Sequence, residues 1–345
     1  MIELCTPSRL HFGLLAYSRS GARQFGGVGL MIRKPEVVVR VESSDTIRAT
    51  GPMAERAASF AERFIERCDD PALRGAHIQV VRAPRPHTGL GTGTQLGMAV
   101  ARALALVIGR DDWDAAELAQ RVGRGERSAI GAYGFFTGGL IVEGGKLDTT
   151  RLSPLLAHQP FPAGWRIVLV SPRRLEGLSG TRERQAFAHM PDISDDATAA
   201  MCRLVLLGLL PALRENDLPA FGEALFALQQ TVGQCFAPAQ GGIYADPMLD
   251  DIVQFIRAQN IPGVGQSSWG PTLYAVVEDH ERAERLVHSL RGQFDFNDEE
   301  VIVTEVDNDG AQARTVQTPL NVAKKSQWNR QDAKTPGRRE EKTKK

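Results

Sequence analysis

The stretch PRPHTGLGTGTQLGMAV, Pro84 to Val100, sets glycines at 89, 91 and 93 and then runs into an apolar repeat of helical period. Just before it, residues 77–83 (HIQVVRA) read as a strand. Just after it, Leu96, Val100, Ala103, Leu104 and Val107 mark one buried helical face. Strand, glycine-rich turn and helix N-terminus in that order make an anion site, because the first helical amides have no intrahelical acceptor. Gly89, Gly91 and Gly93 let main-chain N–H groups come close to a phosphate, and Thr92 and Thr94 add hydroxyl donors. The candidate phosphate loop is thus Gly89, Leu90, Gly91, Thr92, Gly93, Thr94 and Gln95. It is neither GxxxxGK[ST] nor GxGxxG, whose third glycine would fall on Thr94. The same spacing also suits a tight turn with small residues for helix packing. A helix terminus contributes only about 0.3–1 kcal/mol toward an exposed anion, so other cations must converge on the loop.

Outward from the loop, residues 2–17 read as a strand entering a hairpin, closed by a flexible YSRSGARQFGG. GGVGLMI and EVVVRVES follow as two further strands. Ala57, Phe60, Ala61, Phe64 and Ile65 predict an amphipathic helix over 53–68, and a helix begins at Asp114. Later come the strands GGLIVEGG, WRIVLVSP and EVIVTEV, and helices near 197–213, 218–235, 247–259 and 281–291. Two α+β halves, 1–155 and 156–318, are the simplest organisation, with 319–345 as a charged, disordered tail.

The 345 residues, 42% hydrophobic and 24% charged, are ordinary for a globular chain of one large or two closely packed domains. Formal charge is zero, which leaves no global field for nucleic acid or an anionic membrane. Cys5, Cys68, Cys202 and Cys235 form no CxxC pair, and no cluster has the spacing of a resident metal site. A cytoplasmic location is expected. Only Lys34 and Lys146 precede residue 320, so an anion site in the folded part must rest on arginine, main-chain amides or a metal ion.

PRPHTGLGTGTQ resembles the second motif of the GHMP kinase superfamily, P-x-x-x-G-L-G-S-S, which cradles a nucleotide's phosphates. TPSRLHFGLL sits where that superfamily has its first motif, and GVGQSSWGPTLYAVV where it has its glycine-rich third. With FGGVGLMI, RSAIG, GLSGTRE and FAPAQGGIYADP, the wording is similar to one branch, the β-ribofuranosylaminobenzene 5′-phosphate synthases, over roughly residues 4 to 275. The resemblance implies an α+β fold, with a ribosomal-S5-domain-2-like N-terminal half and a ferredoxin-like C-terminal half, in a homodimer. It also implies condensation of 4-aminobenzoate with 5-phosphoribosyl-1-pyrophosphate, releasing CO₂ and pyrophosphate, with Mg²⁺ carried in by the pyrophosphate, as a step of tetrahydromethanopterin biosynthesis. A kinase of this superfamily usually has an aspartate where this chain reads GERSAIGAYGFFTGG, with none between Ser128 and Gly139 and only Glu126 upstream. An ATP-dependent metabolite kinase with another base, and a non-catalytic ligand-binding protein, stay open as alternatives.

The candidate catalytic residues are Arg9, His11, Arg127, Gln266, Ser267 and Ser268. Arg9 and His11 lie one strand period apart, so they share a face: a guanidinium for carboxylate or phosphate, and an imidazole to donate a hydrogen bond or relay a proton. A salt-bridged arginine and a satisfied core histidine are the plainer reading. Candidate substrate contacts are Ser8, Ser128, the cluster Ser179, Thr181, Arg182 and Arg184, the turn Gln240, Gly241 and Gly242, and Trp269. Trp269 suits stacking on an aromatic acceptor, although an indole more often serves simple packing.

Overall fold

The computed structural model describes residues 1–18, 23–68, 70–148, 151–177 and 180–317, the side chains of 180–184 excepted. The expected tail, Ser179 and the side chains of Thr181, Arg182 and Arg184 lie outside that description.

Strands β1 (Ile2–Leu14) and β2 (Gly27–Ser44) run antiparallel as the spine of a seven-stranded sheet. The two strands expected from GGVGLMI and EVVVRVES are one, since β1 accompanies both. Pro35, which has no N–H to give, falls where the β1 register slips between Thr6 and Ser8. On its other side β2 changes partner midway. Val38–Ser44 pair with β4 (Gly75–Arg82), and Gly27–Leu30 with β5 (Leu140–Glu143). Short β3 (Arg48–Thr50) flanks β4, and β6 (Leu155–Gln159) flanks β5. β3 and β6 escape the sequence pattern because edge strands bury few side chains and so show little alternation.

Four helices cover one face of this sheet: α1 (Ala54–Glu66), α2 (Thr92–Val107), α3 (Ala115–Arg121) and α4 (Ile130–Thr137). α1 buries Ala57, Phe60, Ala61 and Phe64, the stripe its period predicts. α2 is instead buried nearly all round, from Gln95 through Ala101, because α1, α3 and α4 all pack on it. Asp114 caps α3 in a reciprocal box with Glu117. α4 gave no amphipathic signal because it lies between the sheet and α2 and α3.

The second sheet, order β10-β7-β9-β8, contains β7 (Arg166–Val170), β8 (Val264–Gln266), β9 (Leu273–Val277) and β10 (Val301–Thr304), all antiparallel, as in ferredoxin-like domains. Around it lie α5 (Gly180–His189), α6 (Asp195–Leu204), α7 (Leu210–Glu215), α8 (Leu218–Gln240), α9 (Pro247–Arg257) and α10 (His280–Phe294). The helix expected at 197–213 is α6 and α7 joined by a π-helical turn, Val205–Leu209. Pro211 has no N–H for the carbonyl four residues back, and the ladder widens just before it. By length and composition Asp195–Glu215 is apolar enough to cross a membrane. It docks Met201, Val205, Leu209 and Leu213 into a core shared with α8, and leaves Leu206 and Leu207 exposed.

That core joins the two halves. Leu10, Phe12 and Leu30 of the first sheet meet Ile167, Leu169 and Tyr274 of the second, with Phe221 and Leu225 of α8 between. The Phe12 and Tyr274 rings lie 5.0 Å apart. The chain returns at its end: β11 (Gln312–Thr315) pairs with Ile2–Cys5 of β1. A division at 155/156 thus cuts β6 after its first residue and assigns β11 to the second half, although both strands hydrogen-bond into the first sheet.

Candidate functional site

The strand β1 carries the site through its alternation: in the regular register from Ser8 to His11, Arg9 and His11 face the cavity while Leu10 enters the shared core. A second register shift follows, between His11 and Gly13, where Phe12 both joins that core and lines the cavity. The glycine loop packs directly on this segment. Arg9 N–H donates to Leu90 O at 2.9 Å, and Arg9 Nη1 reaches Gly89 O at 3.4 Å. Leu90 itself plugs into the shared core. Gly89 and Gly91 have φ of 88° and 69°, in the region that favours glycine, and Gly91 is the N-cap of α2.

Ser267 ties three motifs together. Its hydroxyl donates to Gly89 O at 2.7 Å and accepts from His11 N–H at 3.0 Å. It is fully buried, so its place is in the joint between β1, the loop and the third motif rather than on the cavity wall. Gly270 lies against Thr88 and Gly89, where a Cβ would strike the loop backbone.

A cavity opens between the halves, walled by β1, the loop 123–128, α8 and the third motif. It brings together Arg9, His11, Thr94, Arg127, Ser128, Gln240, Gln266, Ser268 and Trp269 of the expected residues. Ser8 is elsewhere: it is buried and donates to Pro35 O, holding the β1–β2 irregularity. Thr92 and Gln95 are buried within α2 packing, Gln95 Nε2 donating to Gly131 O at 2.8 Å. Gly93 faces the Arg56 guanidinium, into which a Cβ would run. Gln240 holds its own turn by donating to Gly242 O and Ile243 O at 3.0 and 2.7 Å, while Gly241, φ 90°, ends α8. Trp269 is set edge-on against Phe236 and Phe187, at 4.9 and 5.3 Å between centroids, in an aromatic cluster on the wall. Arg127 lies 4.6 Å over the Phe187 ring.

Sequence reasoning missed three groups. Arg56 from α1 and Arg124 from the 123–128 loop both come over Phe60, their guanidinium carbons 5.9 and 4.8 Å from its centroid. Burial, then Arg56 and Arg63, pull the Arg124 pKa down to about 10, and among the described residues its Nε has no hydrogen-bond partner. Cations held this close repel one another, and a polyanion relieves that repulsion. Nothing in the spacing of Arg56 and Arg124 reveals the convergence. The third group is Glu143, 1% exposed at the end of β5. Its Oε1 accepts from Ser128 Oγ–H at 2.6 Å and its Oε2 from Ala129 N–H at 2.7 Å. Burial pushes its pKa up, opposed by those two donors. A lone carboxylate in an otherwise apolar LIVE strand was the available signal. His11 Nε2 lies 3.3 Å from the same Ser128 Oγ. Burial first, then Arg9 and Arg127, hold the His11 pKa well below the ordinary histidine value, so it is a neutral imidazole near pH 7.

Among the described residues no group of three or more His, Cys, Asp or Glu side chains is assembled to hold a metal ion. Glu126 and Thr94 put oxygen donors on the cavity wall.

The family described as GHMP kinases N terminal domain matches residues 54–139, and GHMP kinases C terminal matches 209–295. The β-ribofuranosylphenol 5′-phosphate synthase of Methanothermobacter thermautotrophicus is 33% identical over 303 residues, 81% of this chain and 90% of the relative. That of Archaeoglobus fulgidus is 33% identical over 330 residues, 90% of this chain and 99% of the relative. In structure, a homoserine kinase from Cytophaga hutchinsonii superimposes with a TM-score of 0.62 at 18% identity, over 91% of this chain and 97% of that one. The Methanococcus jannaschii mevalonate kinase gives 0.63 at 11% identity, over 89% and 98%. At these identities the two kinases speak for the fold alone.

Proposed function

The chain belongs to the β-ribofuranosylphenol 5′-phosphate synthase family of the GHMP kinase superfamily, and from that premise we propose that it joins a phosphoribosyl group to a ring carbon of a para-substituted benzoate. The donor is 5-phosphoribosyl-1-pyrophosphate and the acceptor 4-aminobenzoate or its 4-hydroxy counterpart. The first follows from the sequence resemblance, the second from the phenol in the relatives' name. The ribose C1–O bond to diphosphate breaks as the ring carbon bearing the carboxylate bonds to C1. The bond to the carboxylate then breaks, its electron pair restores the aromatic ring, and CO₂ leaves. No hydroxyl on the sugar has to lose a proton.

The observation that carries this reading is the set of cations around the glycine loop. Arg9 and Arg127 line the cavity beside Thr94, with Arg124 at its edge and Arg56 against Gly93. Donors fixed before reaction and aimed at a departing diphosphate each contribute about 2.7–4 kcal/mol, by analogy with oxyanion holes. Mg²⁺ enters as the companion of the diphosphate, a substrate rather than a resident ion, with Glu126 and Thr94 as nearby oxygens. Glu126 is the one carboxylate among the described residues on the cavity wall, which disfavours a kinase's aspartate base.

The test is incubation of the purified chain with the donor, Mg²⁺ and carboxyl-labelled acceptor. Labelled CO₂ and pyrophosphate in equal amounts are expected. Pyrophosphate without CO₂, or phosphate transfer from ATP to a metabolite, would overturn the assignment. The same reading makes the chain a cytoplasmic homodimer in tetrahydromethanopterin biosynthesis, and light scattering on the purified protein checks the dimer.

A further inference from the structure

The buried Glu143, the half-buried Ser128 and the buried His11 form a directional hydrogen-bond chain that ends in the cavity. A serine hydroxyl has one proton to give. Ser128 gives it to Glu143 Oε1, the shorter of its contacts at 2.6 Å, and the other carboxylate oxygen is held by Ala129 N–H. Toward His11, at 3.3 Å, Ser128 can then only accept, so His11 carries its proton on Nε2. A neutral imidazole protonated there has a bare lone pair on Nδ1. His11 lines the cavity, and among the described residues Nδ1 has no hydrogen-bond partner.

Resting on the phosphoribosyl-transfer reading above, we propose that Glu143 is a positioning residue that fixes the His11 tautomer through Ser128, and that His11 Nδ1 accepts the N–H or O–H of the acceptor's para substituent. An unprotonated nitrogen repels carboxylate and phosphate oxygens, whose partners are the neighbouring arginines, so the group it selects is a proton donor. Drawing that proton toward Nδ1 increases electron release into the ring and makes the carbon opposite, the one that bears the carboxylate, more nucleophilic. The acceptor class is therefore benzoates with a para amino or hydroxyl proton. Methoxy and dimethylamino analogues also release electrons but leave Nδ1 unpaired, and they react roughly 10–100-fold more slowly.

Histidine-selective ¹⁵N spectra of the full chain without substrate test the relay directly, with His11→Asn to assign the resonance. The wild-type signal is expected to show Nε2 protonated and Nδ1 bare. In Glu143→Gln the new amide's oxygen stays on Ala129 N–H and its NH₂ donates to Ser128, which turns its own proton onto Nε2, so the tautomer reverses. Ser128→Ala, a smaller change, gives a mixture of the two tautomers. With either variant kcat/KM falls for the benzoate while KM for the phosphoribosyl donor stays put. A wild-type proton on Nδ1, an unreversed tautomer in Glu143→Gln, or equal rates for hydroxy and methoxy acceptors overturns the proposal. Absence of any transfer by the wild-type chain sinks the reaction reading instead, and the spectra still decide the relay.

Discussion

Two glycines with nearly the same backbone conformation separate strain from steric conflict. Gly89 has φ 88° and Gly241 has φ 90°. An added Cβ at Gly241 meets nothing within 4 Å, whereas at Gly89 it overlaps the Ser267 carbonyl oxygen and lies 3.1 Å from Gly270 Cα, both main-chain atoms. Gly241→Ala therefore carries left-handed strain alone, about 1–2 kcal/mol. Gly89→Ala carries the same strain plus overpacking against backbone that cannot rotate away, about 1–3 kcal/mol more. At about 2 °C per kcal/mol for a chain of this size, thermal melting should fall by about 2–4 °C for Gly241→Ala and about 4–10 °C for Gly89→Ala. Turnover should follow the same order, because the Gly89 carbonyl accepts from Ser267 and from Arg9. Differential scanning calorimetry of both variants beside the wild type is the assay. Equal losses would show that the loop and the third motif are not in the close contact described.

Arg124→Met should weaken pyrophosphate binding about 10–100-fold by calorimetry, since hydrogen bonds to charged groups contribute about 1.5–3 kcal/mol. The same variant should melt higher without ligand, as the repulsion with Arg56 and Arg63 is removed; a lower melting point contradicts the cationic cluster. Gly91→Val, at φ 69° with its Cβ 3.2 Å from Arg9 Nε, should stay folded at a cost of about 1–3 kcal/mol and lose turnover. For His11 the folded pKa lies below the unfolded one, so the unfolded chain binds more protons below the ordinary value of 6.5. Its stabilisation is full above that pH and is lost as pH falls toward the folded pKa. The melting difference between wild type and His11→Asn should therefore shrink between pH 7 and 5, and a constant difference would mean a solvent-like histidine. Phe12→Ala should cost about 3–5 kcal/mol and lower one shared unfolding transition, because its ring binds the two sheets together. Two transitions, only one of them shifted, would mean separate cores.

What could be read in advance follows from how information is written in the chain. The helix α1 announces itself because Phe60 and Phe64 repeat on a face that really is one-sided. α2 also repeats, yet its burial on all sides is a property of its neighbours and not of its own period. The loop at Gly89–Gly93 is local in sequence and so was visible, as were Arg9 and His11 on their shared strand face. Ser8 and Ser267 stand in the expected motifs, yet their hydroxyls turn to the Pro35 and Gly89 carbonyls. Whether a serine faces a cavity or a backbone carbonyl depends on partners such as Pro35 and Gly89, remote in sequence from both. Glu143 and Arg124 escaped because a single charged residue has no period. Their meaning comes from Ser128 and Ala129 in one case and Arg56 and Arg63 in the other.

The pairing of β11 with the first five residues fixes an order of events during synthesis. Ile2–Cys5 bond on one side to β2 and on the other to Gln312–Thr315, with the Arg314 guanidinium reaching Glu3 at 2.6 Å. At ~5–20 residues per second, some ~15–60 s pass on the ribosome between emergence of the first strand and arrival of its last partner. Throughout that interval one edge of the nascent sheet offers free main-chain donors and acceptors to any other extended segment, including a neighbour on the same messenger. A chain halted before residue 312 would keep that edge open for good, which makes the C-terminal strand a seal on the N-terminal sheet.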